Sequence, residues 1–517
     1  MGARKELGAI ASLTGSSTKM TFMSTYKALT EELKRIHALA EVAGLLEWDE
    51  QVNLPENSGD FRAKQSSAMA AIVHREATDG KIGDMIGELE ADSSMDPQQS
   101  VVIQEARKDF DRRTKIPEDF VAKKAEHLSK SYHAWVGARS ADDFNSYAPF
   151  LETNIQLAKE EAAFLGKSDN PYDHWIDCFD PGLDAGTIEQ VFQGLEAELV
   201  PLVGEILDSQ VKADTSCLRG FPVEKQGSFM KQVTERLGFD YSRGRIDQSV
   251  HPFCSGCGFD TRMTTRFFED NPLDSLFSSI HETGHGLYEQ GLPKEHIGTA
   301  LGQAAGMAAH ESQSRLWENQ VARSREFWQY WEPAYRETFP EQLQGISSEG
   351  LYLAVNSVSL NPIRVDSDEV TYNLHILLRF RIEKALFDGS LAVKDLPGEW
   401  NRLSKEIIGL DPANNKEGVL QDVHWSGAAF GYFPSYCLGN LLAAQLWYTL
   451  LEQVPGIPED MAQGEFGKIL GWLRENVHQH GQQYYALDLA KKVTGQELSH
   501  HSLIRYLKER YLPLYRS

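Results

Sequence analysis

The chain has 517 residues, of which 41% are hydrophobic, 24% are charged and 10% are aromatic; this is globular usage, and it excludes a largely disordered chain. The 75 acidic residues outnumber the 51 basic ones, which gives a net charge of −24. Such a chain repels nucleic-acid phosphates and anionic lipid, so neither a nucleic acid nor a membrane is an expected partner.

The N-terminal residues 1–23 differ in composition from the rest of the chain. They are rich in Ser and Thr and lack the apolar core of a secretory signal. We predict a disordered N-terminal extension over 1–23 and one continuous domain over 24–517, because no Gly/Ser linker or internal repeat divides the remainder. The five cysteines form an odd and sparse set that favours a reducing compartment. We therefore expect a cytoplasmic location, and targeting of an organelle by the extension stays open.

Helical periodicity dominates the N-terminal half of the chain. Apolar residues recur there at steps of three and four, which places them on one face of a helix. Connectors between these runs are short and contain turn residues, for example the segment over 53–60 with its Pro and Gly. Helices are predicted over 26–46, 61–78, 98–131, 144–165 and 187–211. The predicted fold class is therefore all-α, in a single large body.

The segment over 244–268 departs from this helical pattern. Apolar and polar residues alternate there around a turn rich in Cys and Gly, which predicts a small β-ribbon. Cys254 and Cys257 form a C-x-x-C pair, but a zinc ribbon needs a second pair and a redox site needs a βαβ setting. Two small residues in a packed turn are the favoured interpretation. Asn271-Pro272 follows and predicts the start of the next helix.

That helix contains His281-Glu282-Thr283-Gly284-His285, an H-E-x-x-H motif. A spacing of four places both imidazoles on one helix face, about 6 Å apart along the axis, so both can reach one ion. Glu282 is rotated by about 100° and projects beside the ion, where it can deprotonate a bound water. The alternative is a solvated helix face without an ion, because three fixed positions recur by chance in long chains.

Two histidines leave a zinc-like site short of a ligand. The next helix, predicted over 298–323, carries His310 and Glu311 after a run of small residues over 304–309. Small residues allow two helices to approach closely, which a carboxylate needs if it is to reach an ion on the neighbouring helix. Periodicity does not choose between His310 and Glu311.

Several short motifs follow one another along the chain: HPF at 251–253, DxRxT at 260–264, HETGH at 281–285, HESQ at 310–313, IRxxSD at 363–368 and GxxQDxHW at 418–425. In these motifs the sequence resembles the carboxypeptidase Taq family of metallocarboxypeptidases, with one departure, Ser367 where the family has Ala. The resemblance spans roughly residue 25 to the C-terminus.

The resemblance implies an almost wholly α-helical fold with a long substrate groove and a small β element beside the metal-binding helix. It implies His281, His285 and Glu311 as ligands of one divalent ion per chain, with zinc expected first and cobalt second. It also implies that the protein releases C-terminal residues from peptides with broad side-chain specificity, and that it forms a homodimer.

The expected mechanism assigns a role to residues around the ion. Glu282 acts as the general base that takes a proton from the metal-bound water and passes it to the leaving amine. His424 and Tyr432 are candidate donors to the oxyanion of the tetrahedral intermediate, which needs a preorganised donor besides the metal.

An exopeptidase must also recognise a free α-carboxylate, which the planar fork of Arg binds through two N–H groups. Arg364 is the first candidate and Arg262 the second. An ion pair of Arg364 with Asp366 or Asp368, a structural role, is the alternative. The other candidate substrate-binding residues, from the motifs around Arg262, are Asp260 and His251.

Two other function classes use similar features. An aminopeptidase or endopeptidase could use the same H-E-x-x-H motif, but the chain lacks the G-x-M-E-N element that binds a substrate amine. A helical scaffold could hold an ion for stability alone, but a structural ion does not need an adjacent base such as Glu282. The metal-dependent carboxypeptidase is therefore the leading hypothesis.

Overall fold

The structure is a computed structural model that describes residues 3–92, 95–166 and 169–516, with side chains from Phe22 onward. Helices account for most of the described chain, which confirms the all-α class. They are α1 Ala3–Val52, α2 Gly59–Ala77, α3 Gly80–Glu90, α4 Pro97–Thr114, α5 Glu118–Ala141, α6 Phe144–Leu165, α7 Pro171–Phe179, α8 Ala185–Leu207, α9 Val223–Leu237, α10 Pro272–Gly291, α11 Met307–Arg315, α12 Arg325–Thr338, α13 Ser348–Val355, α14 Tyr372–Asp388, α15 Leu396–Leu403, α16 Phe433–Gln453, α17 Ile457–Met461, α18 Gly467–Asn476, α19 Ala486–Thr494 and α20 His501–Tyr515.

Helices α1 to α4 form an N-terminal arm with a small core of its own. Most other buried apolar side chains belong to one large core that runs from α5 to α20. Apart from Phe22 and Met23, the predicted extension over 1–23 lies outside the residues whose side chains are described, so its disorder stays a prediction, as does the boundary at residue 23. The core of the arm consists of Phe22, Leu29, Ile82, Ile86, Leu89, Ile103 and Ala106.

A three-stranded sheet occupies the segment where a β-ribbon was predicted. Its strands are β1 Gly244–Gln248, β2 Cys254–Cys257 and β3 Asp260–Thr265. The order is β1-β3-β2, with β1 parallel and β2 antiparallel to β3. The sheet packs against α10, the helix that carries the H-E-x-x-H motif. The ribbon and its place beside that helix are thus confirmed.

The C-x-x-C pair lies on strand β2 and not in the predicted packed turn. Cys254 is opposite Met263, and Cys257 is opposite Asp260, so the ladder to β3 keeps this segment extended. Side chains three residues apart on a strand point to opposite faces. None of the five cysteines, all of which lie in the described ranges, forms a disulfide.

Two predicted helices have different bounds because of residues that interrupt the backbone. The run over 98–131 divides into α4 and α5 because Pro117 stands as the N-cap of the second helix. The helix predicted over 298–323 begins only at Met307, because Gly306 adopts a φ of 96°. A six-residue π-helical turn then continues α11 to Val321.

Helix α11 packs against both α10 and α16 within the large core. Two glycines permit this approach: a Cβ on Gly284 of α10 would lie 2.5 Å from Ser314 Cα, and a Cβ on Gly439 of α16 would lie 2.5 Å from Glu311 Cγ. The small residues predicted to allow close packing contribute through Ala308, which is fully buried. None of the helices within the described ranges combines the length and the apolar character that a bilayer span requires.

Candidate metal centre

Two imidazoles of α10 and one carboxylate of α11 converge on a single point. His281 Nε2 and His285 Nε2 lie 3.2 Å apart, and each lies 3.5 Å from Glu311 Oε2. Ligands about 2.0–2.1 Å from a tetrahedral ion are separated from one another by about 3.3–3.4 Å. The three donor atoms therefore have the spacing of a tetrahedral site, and a set of two nitrogens and one oxygen suits Zn²⁺ or Co²⁺.

The outer nitrogen of His281 is held by an acidic side chain that sequence analysis missed. Glu318 Oε2 lies 2.9 Å from His281 Nδ1. A carboxylate accepts, so Nδ1 carries the proton and Nε2 presents its lone pair toward Glu311. Glu318 lies in the π-helical turn that follows α11, and helical periodicity alone does not predict that turn.

The outer nitrogen of His285 is held by a two-residue relay. His310 Nε2 lies 2.8 Å from Glu289 Oε1, so the imidazole donates there and its Nδ1 can accept. His310 Nδ1 in turn contacts His285 Nδ1, which leaves the Nε2 lone pair of His285 toward Glu311. Of the two residues that periodicity left open as a third ligand, Glu311 faces the histidines and His310 orients one of them.

Arg315 holds both carboxylates on the α11 side. Its Nε donates to Glu311 Oε1 at 2.6 Å and its Nη1 donates to Glu318 Oε2 at 3.0 Å. Burial raises the pKa of Glu311, but Arg315 and His281 outweigh burial and bring this pKa well below its usual range. Glu311 therefore stays ionised, as a metal ligand must.

Glu282 occupies the position beside the two histidines. Its side chain is buried, and burial raises its pKa to about 7 although His281 opposes the shift. None of the described residues donates a hydrogen bond to its carboxylate. A carboxylate in such a setting binds a proton more readily than one in water, as a general base requires.

A second polar cluster, built around Asp422, connects to the three-ligand site. Arg364 donates from Nε and Nη2 to Asp422 Oδ1, and Arg379 donates from Nε to Asp422 Oδ2. Arg364 Nη1 donates to the hydroxyl of Tyr372, whose ring stacks 4.7 Å from the guanidinium of Arg315. No described contact joins Arg364 with Asp366 or Asp368, and Asp368 instead accepts from the backbone N–H groups of Ser359 and Val370. The actual partner, Asp422, comes from the downstream motif.

Aromatic side chains of the segment before α16 and of its first turn lie beside this cluster. The ring of His424 lies 5.4 Å from Tyr432, and Tyr432 lies 5.1 Å from Tyr436, whose ring is 5.2 Å from the Arg364 guanidinium. Burial lowers the pKa of His424 to about 4 and raises that of Tyr432 to about 12. Near neutral pH, His424 is therefore uncharged and Tyr432 keeps its proton.

A buried carboxylate holds the loop that carries His424 and Tyr432. Glu383 accepts hydrogen bonds from the Trp425 indole, the Gly431 backbone N–H and the Tyr172 hydroxyl, at 2.7, 2.9 and 2.9 Å. Trp425 follows His424 and Gly431 precedes Tyr432, so this one side chain of α14 holds both ends of the loop. No motif or spacing in the sequence indicated this role.

The remaining predicted substrate-binding residues lie on or next to the sheet. Arg262 forms a two-bond ion pair with Asp260, at 3.0 and 2.9 Å, and its guanidinium stacks 4.2 Å from the Trp48 ring. His251 precedes β2 and is exposed. The side-chain contacts described for these residues do not connect them with the three-ligand site.

The sequence matches one family over nearly its whole length. The profile described as carboxypeptidase Taq (M32) metallopeptidase matches residues 28–511. Thermostable carboxypeptidase 1 of Thermus thermophilus is 39% identical over 510 residues, which cover 96% of this chain and all of that protein. Carboxypeptidase 1 of Bacillus subtilis is 37% identical and covers 95% of this chain and 98% of its own length.

The fold is similar to that of solved structures from the same family. The M32 carboxypeptidase from Deinococcus radiodurans R1 superposes with a TM-score of 0.93 at 39% identity, over 96% of this chain and all of that chain. A carboxypeptidase from Pyrococcus furiosus, solved in a form described as Apo-Mg, gives a TM-score of 0.91 at 31% identity, over 94% of this chain and 99% of that one.

Proposed function

The chain belongs to the carboxypeptidase Taq (M32) family of metallopeptidases and is a metallocarboxypeptidase, and from this premise we propose how its residues act. His281, His285 and Glu311 hold one divalent ion, with zinc as first choice and cobalt as second. Their mutual spacing of 3.2–3.5 Å is the observation that carries this assignment. When bound, such an ion supplies Lewis-acid polarisation of a carbonyl and a lowered pKa for water at the site.

Glu282 is the general base of the proposed reaction. It takes a proton from the attacking water and delivers this proton to the nitrogen of the leaving amino acid, which departs as a neutral amine. Two properties support the role: the side chain adjoins His281 on the same helix, and its burial raises the pKa of the carboxyl to about 7. An acceptor that holds the proton only loosely at neutral pH can also return it.

Tyr432 and His424 are the proposed donors to the oxyanion that forms on the scissile carbonyl. The Tyr432 hydroxyl keeps its proton near neutral pH, and the pKa of His424 is lowered to about 4, so both remain neutral hydrogen-bond donors. The Glu383 carboxylate fixes the loop on which they stand. Donors held in advance stabilise developing charge without the cost of reorientation.

Arg364 is the proposed binder of the substrate α-carboxylate. Three of its five N–H groups are used by Asp422 and Tyr372, which leaves two for a ligand. The contacts through Tyr372 and Arg315 connect it with Glu311 and so support a location near the proposed ion. We assign Arg262, Asp260 and His251 an auxiliary role toward the substrate from the side of the sheet.

Three finer properties complete the proposal. The family resemblance supports a homodimer and a broad side-chain specificity in a long substrate groove. A cytoplasmic location is supported by the sparse set of five cysteines, which form no disulfide within the described part of the chain. Sedimentation velocity and digestion of a mixed peptide library test the first two properties, and fractionation of cells tests the third.

The substitution Glu282→Gln tests the function most simply. Gln keeps the shape of the side chain but cannot take a proton at neutral pH, so metal content should stay at the wild-type level while kcat falls by at least about 10²-fold, the usual contribution of a general base. Metal analysis and release of the C-terminal residue, followed by mass spectrometry, measure both quantities. Turnover close to wild type in a fully loaded variant would contradict the assignment.

A further inference from the structure

A second group of potential metal ligands lies where the N-terminal arm contacts the sheet. His37 and Glu41 are four residues apart on α1 and therefore project from the same helix face. Cys257 is the last residue of β2. One ligand atom from each of these three side chains lies within 4.8 Å of the others.

One ligand atom of this group lacks a partner within the described part of the chain. His37 Nε2 is buried without a hydrogen-bond partner among the described residues, and the closest acid, Glu41 Oε1, is 3.8 Å away. The Cys257 thiol is free, and burial together with the neighbouring Glu41 raises its pKa. A cation between these groups would bind the unpaired nitrogen of His37. It would also take the place of the Cys257 thiol proton and so become the partner of the Glu41 carboxylate.

We propose that His37, Glu41 and Cys257 form a second site for a divalent transition metal of the zinc type. One imidazole, one carboxylate and one thiolate make three ligands, and solvent supplies the fourth because all three residues are only partly buried. The thiolate selects zinc or cobalt over magnesium and calcium, which require oxygen ligands.

A third cluster with similar side chains lacks these properties. Glu198, His500 and His501 also bring their ligand atoms within 4.8 Å of one another. Lys508 donates to Glu198 at 3.0 Å, so the carboxylate already has a cation as partner. Within the described residues, the contact between the arm and the sheet therefore holds the better candidate.

An ion at the proposed site would link two parts of the structure. Its ligands come from α1 of the arm and from β2, whose neighbour β3 packs against α10 and its H-E-x-x-H motif. A cavity of about 200 Å³ adjoins the site, between Glu41, Trp48 and Arg262. An ion here would join the arm to the sheet and so restrain the motion of α1 relative to the catalytic part.

Cobalt titration of the full-length apoprotein tests this proposal, because thiolate bound to Co²⁺ gives a charge-transfer band in the near ultraviolet. The proposed catalytic ligands contain no sulfur, so the band reports only on a site with a cysteine. We expect two equivalents of Co²⁺ to bind per chain and the band to rise with one of them. The same band should persist in the double variant His281→Ala, His285→Ala, which loses the other equivalent.

Variants of the second site provide the matched comparison. Cys257→Ser should lose the band and one equivalent of cobalt, and Glu41→Gln should weaken both, whereas Cys217→Ser, at another partly buried cysteine, should keep both. Circular dichroism verifies that each variant is folded. A wild-type titration that saturates without the band, or a band that survives Cys257→Ser, would overturn the proposal whatever the catalytic site binds.

Discussion

At the scale of single residues, the orientation of the two α10 histidines depends on side chains that do not face the proposed ion. Glu318 accepts from His281 Nδ1, and the His310–Glu289 pair accepts from His285 Nδ1. Each contact selects the tautomer with a lone pair on Nε2. A residue that acts in this way affects the affinity for metal first and the turnover of the loaded enzyme second.

Substitution of Glu318 tests this orienting role. In Glu318→Ala the Nδ1–H of His281 loses its acceptor, so the affinity for Zn²⁺ should fall by about 10–100-fold, as in other proteins whose metal ligands lose such a partner. Glu318→Gln keeps a carbonyl oxygen at the same place and should recover most of the affinity. Competition with a chromogenic chelator measures both variants; an Ala variant with wild-type affinity would show that His281 needs no partner.

The proposed role of Arg364 is tested with peptides that differ only in whether their C-terminus is free or amidated. Arg364→Ala should raise KM for peptides with a free C-terminus far more than for their C-terminally amidated analogues, since only the former carry the charge that Arg364 is proposed to bind. Steady-state kinetics on a matched pair of peptides gives both values. An equal loss on both peptides would instead indicate that Arg364 serves only to neutralise Asp422.

At the scale of secondary-structure elements, the site depends on how closely three helices approach one another. Gly284 lies where α10 contacts α11, and Gly439 lies where α16 contacts the Glu311 side chain. Neither glycine has a positive φ, so each is required by space and not by backbone conformation. The close approach brings the Glu311 carboxylate of α11 within 3.5 Å of both α10 histidines, around the position of the proposed ion.

Gly439→Ala should therefore damage the metal site. The new Cβ would lie 2.5 Å from Glu311 Cγ, so the ligand must move and the affinity for Zn²⁺ should fall by at least tenfold. Gly471→Ala is the control, because no atom lies within 4 Å of its new Cβ. That change should leave the affinity unaltered and stabilise α18 by about 0.5–1 kcal/mol. Unaltered affinity in Gly439→Ala would show that α16 can shift away.

A buried acid that follows α7 binds both α11 and α16 and makes the stability of the protein depend on pH. Asp180 accepts from the Ala308 backbone N–H and the Ser435 hydroxyl, and burial raises its pKa from 3.8 to about 6. Between these values the folded protein keeps a proton that the unfolded chain has lost. The contribution of Asp180 to the free energy of unfolding is therefore greatest below about pH 4 and declines as the pH rises to 6.

The isosteric substitution Asp180→Asn removes this dependence, because Asn can accept from Ala308 and donate to Ser435. The Tm of the variant relative to wild type should rise between about pH 4 and pH 7, by the equivalent of at most about 3 kcal/mol. Scanning calorimetry of both proteins at the two values gives the difference. A difference in Tm that is the same at both pH values would mean that Asp180 titrates normally.

At the scale of the whole molecule, the sequence patterns of single segments predicted the secondary structure that forms within those segments. Periodicity predicted the helical class, alternation predicted the β-ribbon, and Asn271-Pro272 marked the start of α10 correctly. The late start of α11 was missed because the positive φ of Gly306 is not visible in a hydrophobic pattern. The C-x-x-C pair was assigned to a turn because its partner strand lies further along the chain.

The candidate metal site likewise has one part that local spacing predicts and another that depends on contacts between distant segments. A spacing of four placed His281 and His285 on one helix face, but the approach of Glu311 depends on Gly284 and Gly439, which are 155 residues apart in the sequence numbering. The partner of Arg364 came from a different motif for the same reason. Contacts between distant segments are set by packing, which no single segment encodes.

The central claim is that one divalent ion lies between His281, His285 and Glu311. An anomalous-difference map from zinc-loaded crystals, recorded on both sides of the zinc absorption edge, tests it directly. We expect a peak about 2.0–2.2 Å from the two Nε2 atoms and from a Glu311 oxygen. A map of the fully active, zinc-loaded enzyme with no peak at this point, or with its catalytic zinc on other side chains, would contradict it.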